Sequence, residues 1–190
     1  MNGKTYIIAA AIIGLSILLA HPAVCAELLS AGDTLPGTLL PAPDKQDGRY
    51  LGVTGDDPFP IRDIDADAVL IEYFSMYCPH CQADAPDTVI LYGLIEADEE
   101  LSGSLKFIGV GIKNSDYEVD YFRDEYDIPF PMFSDKTGAF MNDAGIRGTP
   151  TYMLVARDGS GEMIVLFTQV GKIEDTADFL EVLKSHLVDR

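Results

Sequence analysis

An apolar and aromatic run, Ala68 to Ser75, leads within three residues into Cys78-Pro79-His80-Cys81. The run contains Val69, Leu70, Ile71, Tyr73 and Phe74 and reads as a buried strand. Pro79 suits the first turn of a helix, where its missing N–H costs nothing. Pro79 to about Ala97 reads as that helix. A strand that turns directly into a helix leaves both thiols at the junction, one helical turn apart. Such a pair can close a small disulfide ring and reopen it, so this segment constrains the chemistry as well as the fold.

The cysteine count sharpens that reading. The chain has three cysteines, and the third, Cys25, lies beside an N-terminal targeting pattern. Lys4 supplies a positive start, and Tyr6 to Ala20 is an apolar run of 15 residues, short for a membrane span. Val24-Cys25-Ala26 then offers small residues for cleavage before Glu27. Export is the main reading of residues 1–26, with an uncleaved membrane anchor as the other. A lipoprotein site at Cys25 lacks the usual Leu at −3 and Gly or Ala at −1. Cleavage after Ala26 removes Lys4 and no acidic residue, so the net charge of −18 becomes −19. Only Cys78 and Cys81 then remain. An exported chain with one C-x-x-C pair is not a disulfide-stapled scaffold.

That acidity excludes nucleic acid as a partner. It suits a solvated surface, or basic protein substrates. A metal at the cysteine pair needs two further ligands, and the mature chain offers only His80 and His186, so no metal is expected.

The rest of the chain reads as one domain with a polar N-terminal extension. Residues 27–60 are rich in Pro, Gly and Asp. Within them Gly37 to Leu40 and Arg49 to Val53 could form two short strands around a Lys45-Gln46-Asp47-Gly48 turn. Residues 61–190 alternate strand and helix. Leu105 to Ile112 is a second core strand, with Gly109 and Gly111 allowing close packing. Tyr117 to Tyr126 has Tyr117, Tyr121, Phe122 and Tyr126 at helical spacing. Asp135 is a good N-cap for a short helix from Lys136 to Ala144. Thr151 to Ala156 and Met163 to Val170 flank Asp158-Gly159-Ser160-Gly161, a hairpin signal. Glu174 to Leu187 closes the chain, with Ala177, Leu180, Leu183 and Leu187 on one side. The order predicts an α/β fold, a central mixed sheet flanked by helices with an N-terminal β extension.

The attacking species in disulfide exchange is a thiolate. An ordinary thiol is only about 3% ionised at pH 7. Cys78 stands where the helix begins, so unpaired backbone N–H groups and the helix dipole favour its charge. Cys81, a turn later, is the natural resolving thiol. Glu72, six residues before Cys78, is a carboxylate in dense apolar company and is costly to bury without a role.

Glu72 to Cys81, followed by Pro86, resembles the active-site strand and first helix of the thioredoxin superfamily. Tyr126 to Pro131, Gly145-Ile146-Arg147-Gly148-Thr149-Pro150-Thr151 and Ala156 to Gly159 are similar to the TlpA/ResA-like exported thiol-disulfide oxidoreductases. The resemblance covers Asp33 to the C-terminus and implies a thioredoxin fold. It implies that Glu72 relays the proton of Cys81. It also implies that Thr149-Pro150 is a cis-proline loop facing the C-x-x-C, with the backbone before the proline pairing with substrate. The Pro79-His80 dipeptide resembles that of the strongly oxidising DsbA type. A donor or cation at His80 would stabilise the thiolate and make the disulfide a better oxidant; an exposed helix histidine would do little.

The chain departs from the TlpA/ResA pattern in three places. Tyr77 replaces a tryptophan, the dipeptide is Pro-His where x-Pro is usual, and Asn114 stands nearest to a glutamate that some members carry after the second core strand. The resemblance therefore implies a periplasmic or otherwise extracytoplasmic oxidoreductase. It needs no cofactor beyond the Cys78–Cys81 disulfide and acts as a reductase or general exchanger, with a DsbA-like oxidant as the alternative. Its implied partners are exported cysteine-containing proteins, apocytochromes c among them, and a membrane thiol donor or oxidase that resets it. A peroxiredoxin-type peroxidase needs P-x-x-x-T-x-x-C, which is absent before Cys78. A binding module without catalysis would have no use for both cysteines and the proline.

Overall fold

The computed structural model describes residues 26–188. The predicted leader, with Lys4 and Cys25, lies outside them save for Ala26. Among the described residues no helix is long and apolar enough to cross a membrane.

The N-terminal extension differs from the expectation of two short strands. Its first strand, β1, is only Leu39–Leu40. Lys45–Leu51 is a helix, α1, where a turn and a second strand were predicted. The Asp44 carboxylate caps it, accepting from the backbone N–H of Gln46 at 2.7 Å and Asp47 at 2.8 Å. Gly52 ends it in the left-handed region at φ 68°, donating its N–H to the Gly48 carbonyl. The true partner of β1 is β2, Phe59–Pro60, paired antiparallel. Asp47 in α1 is buried, and Arg123 holds it through two bonds, Nη1 to Oδ2 at 2.8 Å and Nη2 to Oδ1 at 3.0 Å. Nothing local reveals a partner 76 residues away. Replacing Arg123 with Met strands that buried carboxylate and should cost about 2–4 kcal/mol, read as a lower urea midpoint at pH 7. An unchanged midpoint would mean that the pair adds nothing to the fold.

A 3₁₀ turn at Ile61–Asp63 leads into the main sheet. Its elements follow as β3 (Ala68–Phe74), α2 (Pro79–Ala97), β4 (Leu105–Ile112), α3 (Asp116–Glu125), β5 (Met132–Asp135), α4 (Ala139–Asp143), β6 (Thr151–Arg157), β7 (Met163–Val170) and α5 (Thr176–Val188). The strand order is β5-β4-β3-β6-β7. Strands β3, β4 and β5 run parallel, and β6 and β7 alternate antiparallel. The strand β5 was not anticipated: it is four residues long and follows Pro131, too short for a pattern of its own. It docks because Gly109 of β4, opposite Met132, leaves room. A methyl group at Gly111 would meet Val119 Cγ2 at 2.7 Å, so that glycine lets α3 close on the sheet.

Side chains alternate along β3 and build two cores. Leu70 and Phe74 face a cluster with Cys81, Leu91 and Ile95 of α2 and Phe179 and Leu183 of α5. Val69, Ile71 and Tyr73 face the other side, with Leu51 of α1 and Phe140 of α4. Three helices depart from the sequence reading in detail. In α3 the buried residues are Val119 and Phe122, while Tyr117 and Tyr121 are exposed, because only one narrow side rests on the sheet. The helix α4 begins at Ala139, and Asp135, still in β5, accepts from Ala139 N–H at 2.8 Å and Met141 N–H at 3.2 Å. In α5 the buried face is Phe179, Leu180 and Leu183, and Ala177 is exposed.

Candidate active site

The carboxyl end of β3 and the start of α2 meet at Cys78, which is the N-cap of α2 with extended backbone (φ −86°, ψ 115°). Pro79 occupies the first helical turn. Both cysteines are free thiols; Cys78 is partly exposed and Cys81 is buried. The geometry therefore gives them opposite acidities. Partial burial pushes the Cys78 thiol up, but a side-chain hydrogen bond from Thr149 and bonds from Cys81 and the His80 backbone outweigh it. The thiol ends below its ordinary value. Burial is also the main influence on Cys81, aided by the negative charge of Glu72, and there it wins, so that thiol is held far above its ordinary value.

Thr149 belongs to the loop before β6. Since β6 lies next to β3, the loop stands beside the end of β3 that carries Cys78. The Cys78 thiol donates to the Thr149 carbonyl at 3.1 Å, a bond that ionisation of the sulfur must give up. The Thr149–Pro150 peptide bond is cis. The His80 ring is exposed, and it is the His80 backbone that reaches the sulfur.

Glu72 lies on the β3 face shared with Leu70 and Phe74, the face that packs against Cys81. It is buried, and neither carboxylate oxygen has a hydrogen-bond partner among the described residues. Burial, and then the nearby charge of Asp84, raise its pKa from 4.5 to about 8. Sequence reasoning missed Asp84. It sits on α2 one turn past Cys81, fully buried, accepting from the Tyr152 hydroxyl at 2.6 Å and the Ile173 N–H at 3.0 Å. Burial raises its pKa too, against the pull of those two bonds. An acid on the same helix face as Cys81 was the available signal. Asn114 is fully buried and accepts from the Met76 N–H at 2.9 Å, tying the loop before Cys78 to the end of β4. Tyr77 is exposed and hydrogen-bonds Glu118.

The arrangement brings Cys78, Pro79, His80, Cys81, Glu72, Thr149 and Pro150 to one end of the sheet. A partly exposed thiol of lowered pKa, a buried second thiol and a buried carboxyl of raised pKa thus stand together, an arrangement able to support dithiol exchange. Residues 61–183 match the Redoxin family. The chain belongs to the Redoxin family. Among its relatives is the thiol-disulfide oxidoreductase ResA of Halalkalibacterium halodurans, 27% identical over 124 residues, which cover 65% of this chain and 66% of that protein. ResA of Oceanobacillus iheyensis is 27% identical over 124 residues as well, covering 65% of this chain and 62% of the relative. The chain thus spans just under two thirds of the length of these relatives. The thioredoxin domain of a thiol-disulfide oxidoreductase from Bacteroides vulgatus superposes with a TM-score of 0.61 at 14% identity, covering 83% of this chain and 97% of that one. StoA from Bacillus subtilis superposes with a TM-score of 0.55 at 19% identity, covering 77% and 97%. At these identities the likeness is one of fold, and the fold is that of thioredoxin.

Proposed function

We propose that this Redoxin-family chain is an extracytoplasmic protein thiol-disulfide oxidoreductase working through Cys78 and Cys81. The observation that carries the reading is the split in acidity between a partly exposed Cys78 and a buried Cys81. The ResA names of its relatives and the leader pattern of residues 1–26 support it.

In the reducing direction the Cys78 thiolate attacks one sulfur of a substrate disulfide. That S–S bond breaks, the departing substrate sulfur takes a proton, and a mixed disulfide forms on Cys78. Cys81 then gives up its proton, with Glu72 as the relay, and attacks the Cys78 sulfur. The Cys78–Cys81 bond forms and the second substrate thiol leaves. The substrate gains two electrons and the protein loses two, which a thiol donor on the membrane must restore. Once Cys78 no longer donates to it, the Thr149 carbonyl is free to accept a backbone N–H from the substrate chain beside Pro150. Exported cysteine proteins are the substrates, apocytochromes c among them. We favour a reductase or general exchanger, because the family likeness spans most of the chain, while the DsbA-like feature is a dipeptide. No cofactor or metal enters this scheme.

The redox potential tests the direction. Each pKa unit by which Cys78 is lowered favours the reduced form by about 30 mV for a two-electron couple. A glutathione titration should place the couple above the roughly −270 mV of thioredoxin. The His80→Pro variant loses both the ring and the backbone N–H, and its potential should fall by some tens of mV, about 30 mV per pKa unit. His80→Ala keeps the N–H and should fall less. A potential at or below that of thioredoxin, unmoved in His80→Pro, would remove the case for an oxidising role. Failure of the wild-type chain to exchange with any disulfide would remove the proposed function itself.

A further inference from the structure

Resting on the oxidoreductase reading, we propose that a groove beside Cys78 selects polypeptide substrates with an acidic side chain next to the reacting cysteine, and that Lys113 and Arg147 supply the selecting charges. The groove has a volume of about 300 Å³. Tyr77 and Thr149 line the end nearest the sulfur: Tyr77 precedes Cys78, and the Thr149 carbonyl is 3.1 Å from Sγ. Ile112 and Ile146, both largely buried, contribute apolar lining. Lys113 and Arg147 complete the part that matters here, and both are exposed.

Topology places the two cations on opposite sides of the reactive strand. Lys113 follows β4 and Arg147 precedes β6, and these are the two neighbours of β3. An extended chain whose cysteine meets Cys78 advances about 3.3 Å per residue, so the side chain next to that cysteine lies within reach of the groove. The space suits one or two side chains.

Charge decides which side chain is favoured. The protein carries 31 acidic and 13 basic residues, so its overall field repels acidic peptides. Two cations in the groove next to the thiol run against that trend. Neither forms an ion pair among the described residues. Arg147 donates to the Ala26 carbonyl at 2.8 Å, a neutral partner, and pairs with no carboxylate among the described residues. On α3, Asp116 pairs with Lys136, whereas Glu118 accepts from Ser115 and from the hydroxyl of the groove-lining Tyr77, so it stands at that end of the groove without pairing with either cation. A substrate carboxylate is the complement these charges lack, and a lysine beside the substrate cysteine meets repulsion.

The test uses the full chain, reduced, and short peptides whose single cysteine is in a mixed disulfide with a chromogenic aryl thiol. One peptide has Asp on both sides of the cysteine and its counterpart has Lys; hydroxyethyl disulfide serves as an uncharged control. Second-order rates should favour the Asp peptide by roughly tenfold at low salt, shrinking as ionic strength rises. The double variant Lys113→Glu, Arg147→Glu should reverse the preference. Lys113→Glu alone, which leaves Arg147 in place, should reduce it. Reading the Asp-to-Lys ratio within each variant cancels any general loss of activity. Equal rates for the two peptides, or a ratio unmoved by charge reversal, would overturn the proposal while reaction with hydroxyethyl disulfide upholds the oxidoreductase reading. No reaction with any of the three disulfides would overturn both.

Discussion

Replacing Cys78 with Ser is expected to reduce disulfide exchange to the uncatalysed background, while Cys81→Ser should accumulate a mixed disulfide between substrate and Cys78. The two thiols are separated by one helical turn but by very different surroundings. Cys78 stands at the N-cap of α2, is partly exposed and is held below the ordinary thiol pKa by hydrogen bonds from the Thr149 side chain, Cys81 and the His80 backbone. Cys81 is fully buried and held well above. At neutral pH the attacking thiolate fraction therefore belongs to Cys78. Without Cys81, no internal thiol resolves the first intermediate, and mass spectrometry of a reaction quenched with acid should find substrate attached at Cys78. Brief iodoacetamide treatment of the reduced wild-type chain at pH 7 should label Cys78 ahead of Cys81. Labelling of Cys81 first would reverse the assigned roles.

Glu72→Gln should change both kinetics and stability, each with its own dependence on pH. The wild-type carboxyl is mostly protonated at pH 7, given a pKa raised by burial to about 8. Its capacity to accept the Cys81 proton grows as pH rises through 8. Resolution of the mixed disulfide should accelerate over that range in the wild type. In Glu72→Gln it should be slower by about tenfold to a hundredfold, since general-base catalysis is commonly worth ~10² or more, and should lose that rise. Resolution rates matching the wild type from pH 6 to 9 would make Glu72 a structural residue only.

The stability effect has the opposite direction. In the unfolded chain Glu72 ionises near 4.5, in the folded chain near 8. Between those values the folded state holds the extra proton, so this residue's contribution falls as pH rises from 4.5 to 8 and is constant above. The whole change is about 5 kcal/mol at ~1.4 kcal/mol per unit. Denaturant midpoints of Glu72→Gln relative to wild type should thus improve progressively across that window. Taking the difference between the two proteins removes the other carboxyls, such as Asp44 and Asp116, whose lowered pKa values act in the opposite sense. A difference independent of pH would contradict the buried, unpartnered carboxyl.

Features with a local physical cause were legible in the chain. The run Ala68 to Phe74, short and rich in β-branched and aromatic residues, reads as a buried strand. Pro79 suits the first turn of a helix, which placed Cys78 at its cap. The hairpin around Asp158 to Gly161 follows from residues that favour tight turns, and its two strands, β6 and β7, are there. Glu72 was conspicuous because a carboxylate among Val69, Leu70, Ile71, Tyr73 and Phe74 has no inexpensive place to go.

Whatever depends on residues distant in sequence was decided by the tertiary structure. Lys45–Leu51 became a helix because Asp44 caps it and because Asp47 meets Arg123 across the molecule, whereas its own pattern also allowed a turn and a strand. The four residues of β5 pair because β4 presents Gly109 to them. Asp84 became part of the site when folding stacked α2 on the face of β3 that holds Glu72 and placed Tyr152 and Ile173 around its carboxyl. Lys113 and Arg147 became neighbours of one groove because β4 and β6 flank β3. Residue type and short-range spacing encode what a segment can become. Burial, pairing and acidity depend on the dielectric and the partners that only the assembled chain provides.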